Sequence, residues 1–227
     1  REPASLTIAC THEVSHLYLL PRFESLQGQL GEDCQIRIMT YEYDIMEIAL
    51  DPRIDIVIQY DVSRSEPQDK VAIVREAVVP LASADLVHNH PVIKNEPVDH
   101  WGDIKFLELS KQNYGWATWQ DWFTQSGYPD FKPEYLYSNN YVYLLEAATA
   151  GKGIAMGWRG LIERHLESEA LVPLLDSYIE FDRAIHAVLT ANGRTREIAR
   201  KCLELLVESD TKKGQDKSRP FNFSLKP

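Results

Sequence analysis

What most constrains this chain is a pattern that occurs twice: short strand-like runs separated by stretches with helical spacing. In the first series residues 6–10, 35–39 and 54–58 are β-rich; a helix-like stretch reaches to about residue 29, and a short helix begins near Asp44. In the second, 105–109, 135–137 and 154–158 read as strands, and 115–126 and 139–150 as helices. Parallel strands need long crossovers, and successive βαβ units supply them, so each series predicts one parallel α/β layer. Two more extended segments, 72–82 and 183–190, fall between and after the two series. The fold class that accommodates all of this is α/β: two Rossmann-like lobes joined by two crossing strands. Lobe I is expected to span 5–80 and 184–208, lobe II 81–183, and 209–227 to form a polar, lysine-rich, disordered tail.

Local signals refine the layout. Pro21 either starts the first helix or kinks it. Ser138 is placed to cap the 139–150 helix, Val142, Leu145 and Ala148 share its inner face, and Gly151 ends it. The last helix, predicted over 195–208, carries Ile198, Cys202, Leu205 and Leu206 on one side, which makes Cys202 a core residue. Trp116, Trp119 and Trp122 lie on one face of the 115–126 helix and read as core as well.

Composition narrows the function. The 227 residues are 44% apolar, enough to bury a sizeable core, which excludes a disordered chain. The net charge is -10, and the last 17 residues hold five basic side chains against Asp216 alone, so the body is more acidic still. Such a surface repels phosphates and argues against general nucleic-acid binding. Cys10, Cys34 and Cys202 form no C-x-x-C pair and are odd in number, which points to a reducing compartment rather than a disulfide framework. No signal-peptide pattern opens the sequence and no 18-residue apolar run occurs, so a cytoplasmic location without membrane partners is expected. The absence of an initiator methionine reads as a fragment of something longer.

One short motif is sharp. His12-Glu13-Val14-Ser15-His16 spells H-E-x-x-H, in which zinc peptidases bind metal through two histidines and activate water with the glutamate. The motif demands a mid-helix setting and a third ligand. Here it follows a strand directly, Pro21 comes five residues after His16, and only distant acids such as Glu42 or Glu47 are on offer. The bland reading, a strand-to-helix turn, carries its own interest, because ligands of open α/β sheets collect at strand C-termini facing helix N-termini. Thr11, His12, Glu13 and Val14 line that turn. Trp158 ends a predicted strand and would face the cleft between lobes; gathered with Tyr60 or Tyr141 beside Glu13 or Asp61, it would form an aromatic, acidic cage for a cation such as a quaternary ammonium. No nucleophile elbow, Walker loop or dinucleotide fingerprint is present, and no cofactor is implied.

The run LTIACTHEVSHLYLLPRF (6–23), DIVIQYD (55–61), VVPLASADLV (78–87) and, above all, YSNNYVYLLEAATAGKGIAMGWRGLIERHLESEALVPL (137–174) resemble the effector-binding domain of LysR-type transcriptional regulators over nearly the whole of 5–208. Within that family the chain is similar to the glycine-cleavage-activator branch and to regulators assigned to choline sulfate or betaine utilisation. The resemblance implies a fold like type II periplasmic binding proteins, no enzymatic activity, and a small effector between the lobes. It places the effector site at Thr11 to Val14, at Gln59, Tyr60 and Asp61, at Ser110, and at Asn139, Asn140 and Tyr141. It also implies DNA and RNA polymerase as partners of a full-length protein through an N-terminal winged helix-turn-helix. A homodimer or tetramer is implied too, pairing antiparallel through the helices at 14–29 and 159–167. Glu13 stands where this branch usually has a small or apolar residue, which favours a cationic or zwitterionic effector over an anionic one. A transport-type solute-binding protein shares such lobes but requires export, and a metallopeptidase is the enzyme alternative.

Overall fold

The computed structural model of the protein describes residues 4–41, 51–60, 69–110 and 115–214, with side chains to 207. The first strand series forms β1 (Ser5–Cys10), β2 (Gln35–Thr40) and β3 (Ile56–Tyr60), with β1 parallel to both neighbours. The second forms β5 (Phe106–Leu109), β6 (Tyr135–Ser138) and β7 (Ile154–Trp158), with β5 parallel to both. Between them run two long strands, β4 (Lys70–Ala82) and β9 (Ile179–Leu189), paired antiparallel to each other; β9 also pairs with β3, and β4 with β7. A two-residue strand, β8 (Val172–Pro173), adds to β4. One nine-stranded sheet results, in the order β2-β1-β3-β9-β4-β7-β5-β6, with the crossing strands at its centre. The two-lobed α/β architecture expected from the pattern is the one formed.

The order within each half has a consequence. In 2-1-3 the chain leaves β1 to one side and β3 lies on the other; in 7-5-6 the same holds for β5. Each is a topological switch point, where loops diverge and leave a crevice at the carboxyl ends of the strands. Those ends are Cys10, Tyr60, Leu109 and Trp158.

Helices cover the sheet. After β1 the chain enters a π-helical turn (Val14–Leu19), tightens to 3-10 geometry at Leu20–Arg22 and becomes α-helical in α1 (Phe23–Leu30). Pro21 sits in the 3-10 turn, the break its ring imposes on a continuous helix. Lobe II contributes α2 (Ala84–Asn89) and α3 (Val92–Asn95), which the sequence reading did not anticipate, then α4 (Trp119–Gln125), α5 (Tyr141–Thr149) and α6 (Glu163–Glu167). The closing helix α7 (Glu197–Gly214) continues past the predicted end at 208, so the polar segment is helical as far as Gly214; residues 215–227 lie outside the described part.

Two caps differ from expectation. Ser138 ends β6, and the N-cap of α5 is Asn140, whose side chain accepts from the Tyr143 N–H at 3.0 Å; Ser138 Oγ accepts from Asn140 N instead. The tryptophan helix starts late, because Thr118 caps it in a capping box with Asp121. Trp119 and Trp122 are core as predicted, packed on Phe106 and Phe123. Trp116 lies before the cap, outside the helix, and turns elsewhere. All three cysteines are buried and free; burial pushes the Cys10 and Cys202 thiols up to about 12, so both are inert packing groups at neutral pH.

Candidate functional site

The centre of the molecule is built around a carboxylate in the middle of an otherwise apolar strand. Glu76 on β4 is 2% exposed, and the β4–β9 register slips between Arg75 and Ala77, a bulge that turns its side chain inward. A buried charge persists only when its oxygens are filled. Oε1 accepts from the Ala117 N–H and from the Trp158 indole N–H, both at 2.9 Å. Oε2 accepts from the Tyr60 hydroxyl at 2.7 Å and from Arg183 Nε at 2.6 Å. Tyr60 ends β3 in lobe I, Trp158 ends β7 in lobe II, and Glu76 and Arg183 lie on the two crossing strands. One carboxylate therefore joins both lobes and both connectors.

Aromatic rings close around it. Tyr60 stacks on Trp116 with centroids 4.1 Å apart, Trp116 meets the edge of Trp158 at 5.9 Å, and Trp158 meets Tyr141 at 4.9 Å. Gly115 makes the approach possible: at φ +75° it adopts the left-handed turn that aims Trp116 back at Tyr60, and its carbonyl lies 3.2 Å from the Tyr60 hydroxyl. The Tyr141 hydroxyl donates to the Met156 carbonyl at 2.9 Å and accepts from Trp158 N; burial above all holds this phenol far above the usual range.

The turn after β1 follows the strand that pairs with β3. Glu13 is 4% exposed, and its charge raises the Cys10 thiol, the Tyr41 phenol and, from lobe II, the Tyr141 phenol, in each case secondarily to burial. Thr11 and Val14 are buried, and Thr11 Oγ1 has no hydrogen-bond partner among the described residues. His12 is exposed.

A family profile, the LysR substrate binding domain, matches residues 1–211. The chain belongs to that family. No curated protein matches it by sequence. Among solved structures it is similar to the AmpR effector binding domain from Citrobacter freundii (17% identity over 92% of this chain and 99% of that one, TM-score 0.71). It is similar also to the effector domain of AmpR from Pseudomonas aeruginosa (18%, 92% and 98%, TM-score 0.70) and to the regulatory domain of CrgA, a LysR-type regulator from Neisseria meningitidis (14%, 91% and 98%, TM-score 0.66). At such identities the likeness establishes the shared fold, that of the periplasmic-binding-protein-like effector domains. The effector domains of LysR-type regulators are non-enzymatic regulatory modules, and the family binds small-molecule effectors and oligomerises. Among the described residues no helix is long and apolar enough to cross a membrane.

Of the residues expected at the effector site of this LysR domain, Tyr60, Tyr141 and Trp158 are linked through Glu76 and ring contacts, and Thr11, Glu13 and Val14 are buried in the turn after β1. Ser110 N donates to the Ser138 carbonyl at 2.9 Å, and Ser110, Asn139 and Asn140 are exposed at the lip of lobe II. Asp61 lies outside the described residues, as do Glu42 and Glu47. The H-E-x-x-H reading meets a geometric obstacle: Glu13 is turned into the protein beside Cys10 and Tyr41, while His12 and His16 are exposed. Sequence reasoning missed Glu76, Trp116 and Arg183. A lone acid inside the apolar run 70–82 was the available signal, since a charge there must have a buried partner.

Two features lie away from this centre. A groove of about 830 Å³ opens on lobe II, walled by Val87, Ile93, Trp101 and Leu174, remote from the strand ends. On β5, Glu108 accepts from Trp119 N at the start of α4, and burial, aided by Asp121, raises its carboxyl to about 7. A carboxyl whose folded value lies above its unfolded one binds more protons folded than unfolded, so it costs stability as pH rises from about 4.5 to about 7. Glu108→Gln keeps an oxygen acceptor and is expected to stabilise the fold by about 1–2 kcal/mol at pH 8, with little effect at pH 4.5, in urea melts at the two pH values. An equal effect at both would show that ionisation is not the cause.

Proposed function

We propose that this LysR domain senses a small cationic or zwitterionic effector, a quaternary ammonium such as choline or betaine, held between lobe I (5–80 and 184–208) and lobe II (81–183). The observation that carries the reading is the convergence of Tyr60, Trp116, Trp158 and Tyr141 at the strand ends, with Glu13 buried in the turn that follows β1. Aromatic faces attract a desolvated cation through their quadrupoles, and a buried acid adds a compensating charge. Thr11 Oγ1, buried and without a partner among the described residues, supplies a hydroxyl for the effector's polar end.

On this reading the domain belongs to a cytoplasmic regulator without catalytic activity, which reaches DNA and RNA polymerase through a winged helix-turn-helix elsewhere in the full-length protein. Effector binding shifts a lobe equilibrium and so biases a homodimer or tetramer paired through the helices at 14–29 and 159–167. Millimolar choline or betaine is expected to raise the melting temperature by mass action, and Glu13→Gln to weaken that shift at least fivefold in apparent affinity. A response confined to anions, with choline and betaine silent, would defeat the proposal.

A further inference from the structure

The H-E-x-x-H segment leaves one arrangement that the effector site does not use. His12 and His16 stand one helical turn apart at the start of the first helical segment, both exposed, with ring centroids 4.6 Å apart and planes tilted by 42°. Ser15 locks the backbone beneath them: its N–H donates to the Thr11 carbonyl at 3.0 Å and its hydroxyl to the His12 carbonyl at 2.7 Å. Two imidazoles at this spacing on a fixed backbone are a bidentate ligand. Metal–nitrogen bonds of about 2.0–2.1 Å need the two coordinating nitrogens a little over 3 Å apart, which small rotations of exposed side chains provide.

We propose that His12 and His16 chelate a single borderline divalent transition ion, Zn2+, Ni2+ or Cu2+, on the outer face of this turn. Imidazole selects these ions over Mg2+ and Ca2+, which require oxygen ligands. Once one imidazole is bound, the second acts at an effective concentration of millimolar or more, and this separates the pair from any lone surface histidine. No group of three or more His, Cys, Asp or Glu suited to a metal occurs among the described residues, and on this proposal water fills the remaining coordination positions. That is a binding site without the ligand set of a peptidase. Its place gives it a consequence: the bridged turn lies directly over Thr11 and Glu13, and a bound ion braces the backbone that presents them, across a π-helical stretch with poorer hydrogen-bond geometry than an α-helix.

The test is calorimetric titration of the chain with NiCl2 or ZnSO4 alone, beside thermal melts. One equivalent is expected to bind in the micromolar range, with a rise in melting temperature. His12→Ala and His16→Ala, both at exposed positions, each weaken binding at least tenfold and abolish the rise. His100→Ala, which removes an exposed imidazole paired with Glu96 rather than with another histidine, changes neither. Cu2+ electron paramagnetic resonance should show two nitrogen ligands in the wild type and fewer in either single variant. Unchanged affinity in both variants, no saturable binding below about 1 mM, or equal binding of Mg2+ would overturn the proposal. None of these outcomes depends on which effector the cleft takes.

Discussion

Glu76→Ala is expected to lower the unfolding free energy by about 3–4 kcal/mol, seen as a drop in the urea midpoint at unchanged slope. The substitution strands four donors at once: Arg183 Nε, the Tyr60 hydroxyl, the Ala117 N–H and the Trp158 indole N–H. Each buried donor left without an acceptor costs on the order of 1–3 kcal/mol, but Arg183 is partly exposed and recovers some solvation, which keeps the total below the simple sum. Glu76→Gln retains one acceptor and should cost about half as much. Because the same side chain fixes Tyr60 in one lobe and Trp158 in the other, Glu76→Gln should also blunt any effector-induced thermal shift while leaving the far-ultraviolet circular dichroism intact. A double-mutant cycle with Arg183→Met separates the ion pair from the neutral hydrogen bonds. A loss under 1 kcal/mol for Glu76→Ala would show that the lobes are held by their aromatic contacts alone.

Asp55→Ala is expected to cost a similar amount, about 3–5 kcal/mol, by a different route. Asp55 is fully buried just before β3, where Oδ2 accepts from Thr7 N on β1 at 2.8 Å and Oδ1 from Asn192 Nδ2 at 2.8 Å; Arg196 Nη1 contacts both oxygens at 2.7 Å. This group staples the entry of α7 to the parallel strands β1 and β3. Gly193 completes it: a Cβ there would come within 2.0 Å of the Asp55 carbonyl oxygen, so only glycine allows the chain to pass. Truncation leaves the Thr7 N–H, the Asn192 amide and Arg196 Nη1 without their acceptor beneath the last helix, while Arg196 Nη2 keeps the Ser5 carbonyl. Arg196→Met removes a guanidinium that is about a third exposed but leaves the buried Asp55 carboxylate with only the Thr7 and Asn192 donors, so it should cost less than Asp55→Ala, on the order of 2 kcal/mol, and that asymmetry in chemical denaturation is the check. Equal losses for both variants would place the energy in the ion pair itself rather than in the orphaned backbone donor.

Most of the fold was legible because periodicity reports burial. Strands 6–10, 35–39, 105–109 and 154–158 lie within a residue of their observed limits: 6–10 and 154–158 are nearly continuous apolar runs suited to a strand covered on both faces, whereas 35–39 alternates in burial as an edge strand does. The crossing strands were legible from their position between and after the two series. What failed were features set by single backbone contacts. The Thr118–Asp121 capping box starts α4 three residues after Gly115, and that displaces Trp116 from the helical face that apolar spacing suggested. Asn140 captures the cap from Ser138 because the latter is still paired in β6.

The site divides along the same line. Sequence alone determined the α/β class, the two lobes and the strand ends at which a ligand would sit, because parallel strands oblige the chain to return through crossovers and leave switch points at their carboxyl ends. It named Tyr60, Tyr141 and Trp158 by their place at or just after such ends. Only the tertiary structure decided what stands between them. A bulge in β4 turns Glu76 inward, a left-handed turn at Gly115 folds Trp116 onto Tyr60, and the helical turn sends Glu13 into the protein while leaving His12 and His16 outside. Those outcomes depend on pairing register and side-chain direction between segments up to about a hundred residues apart, which no local pattern encodes.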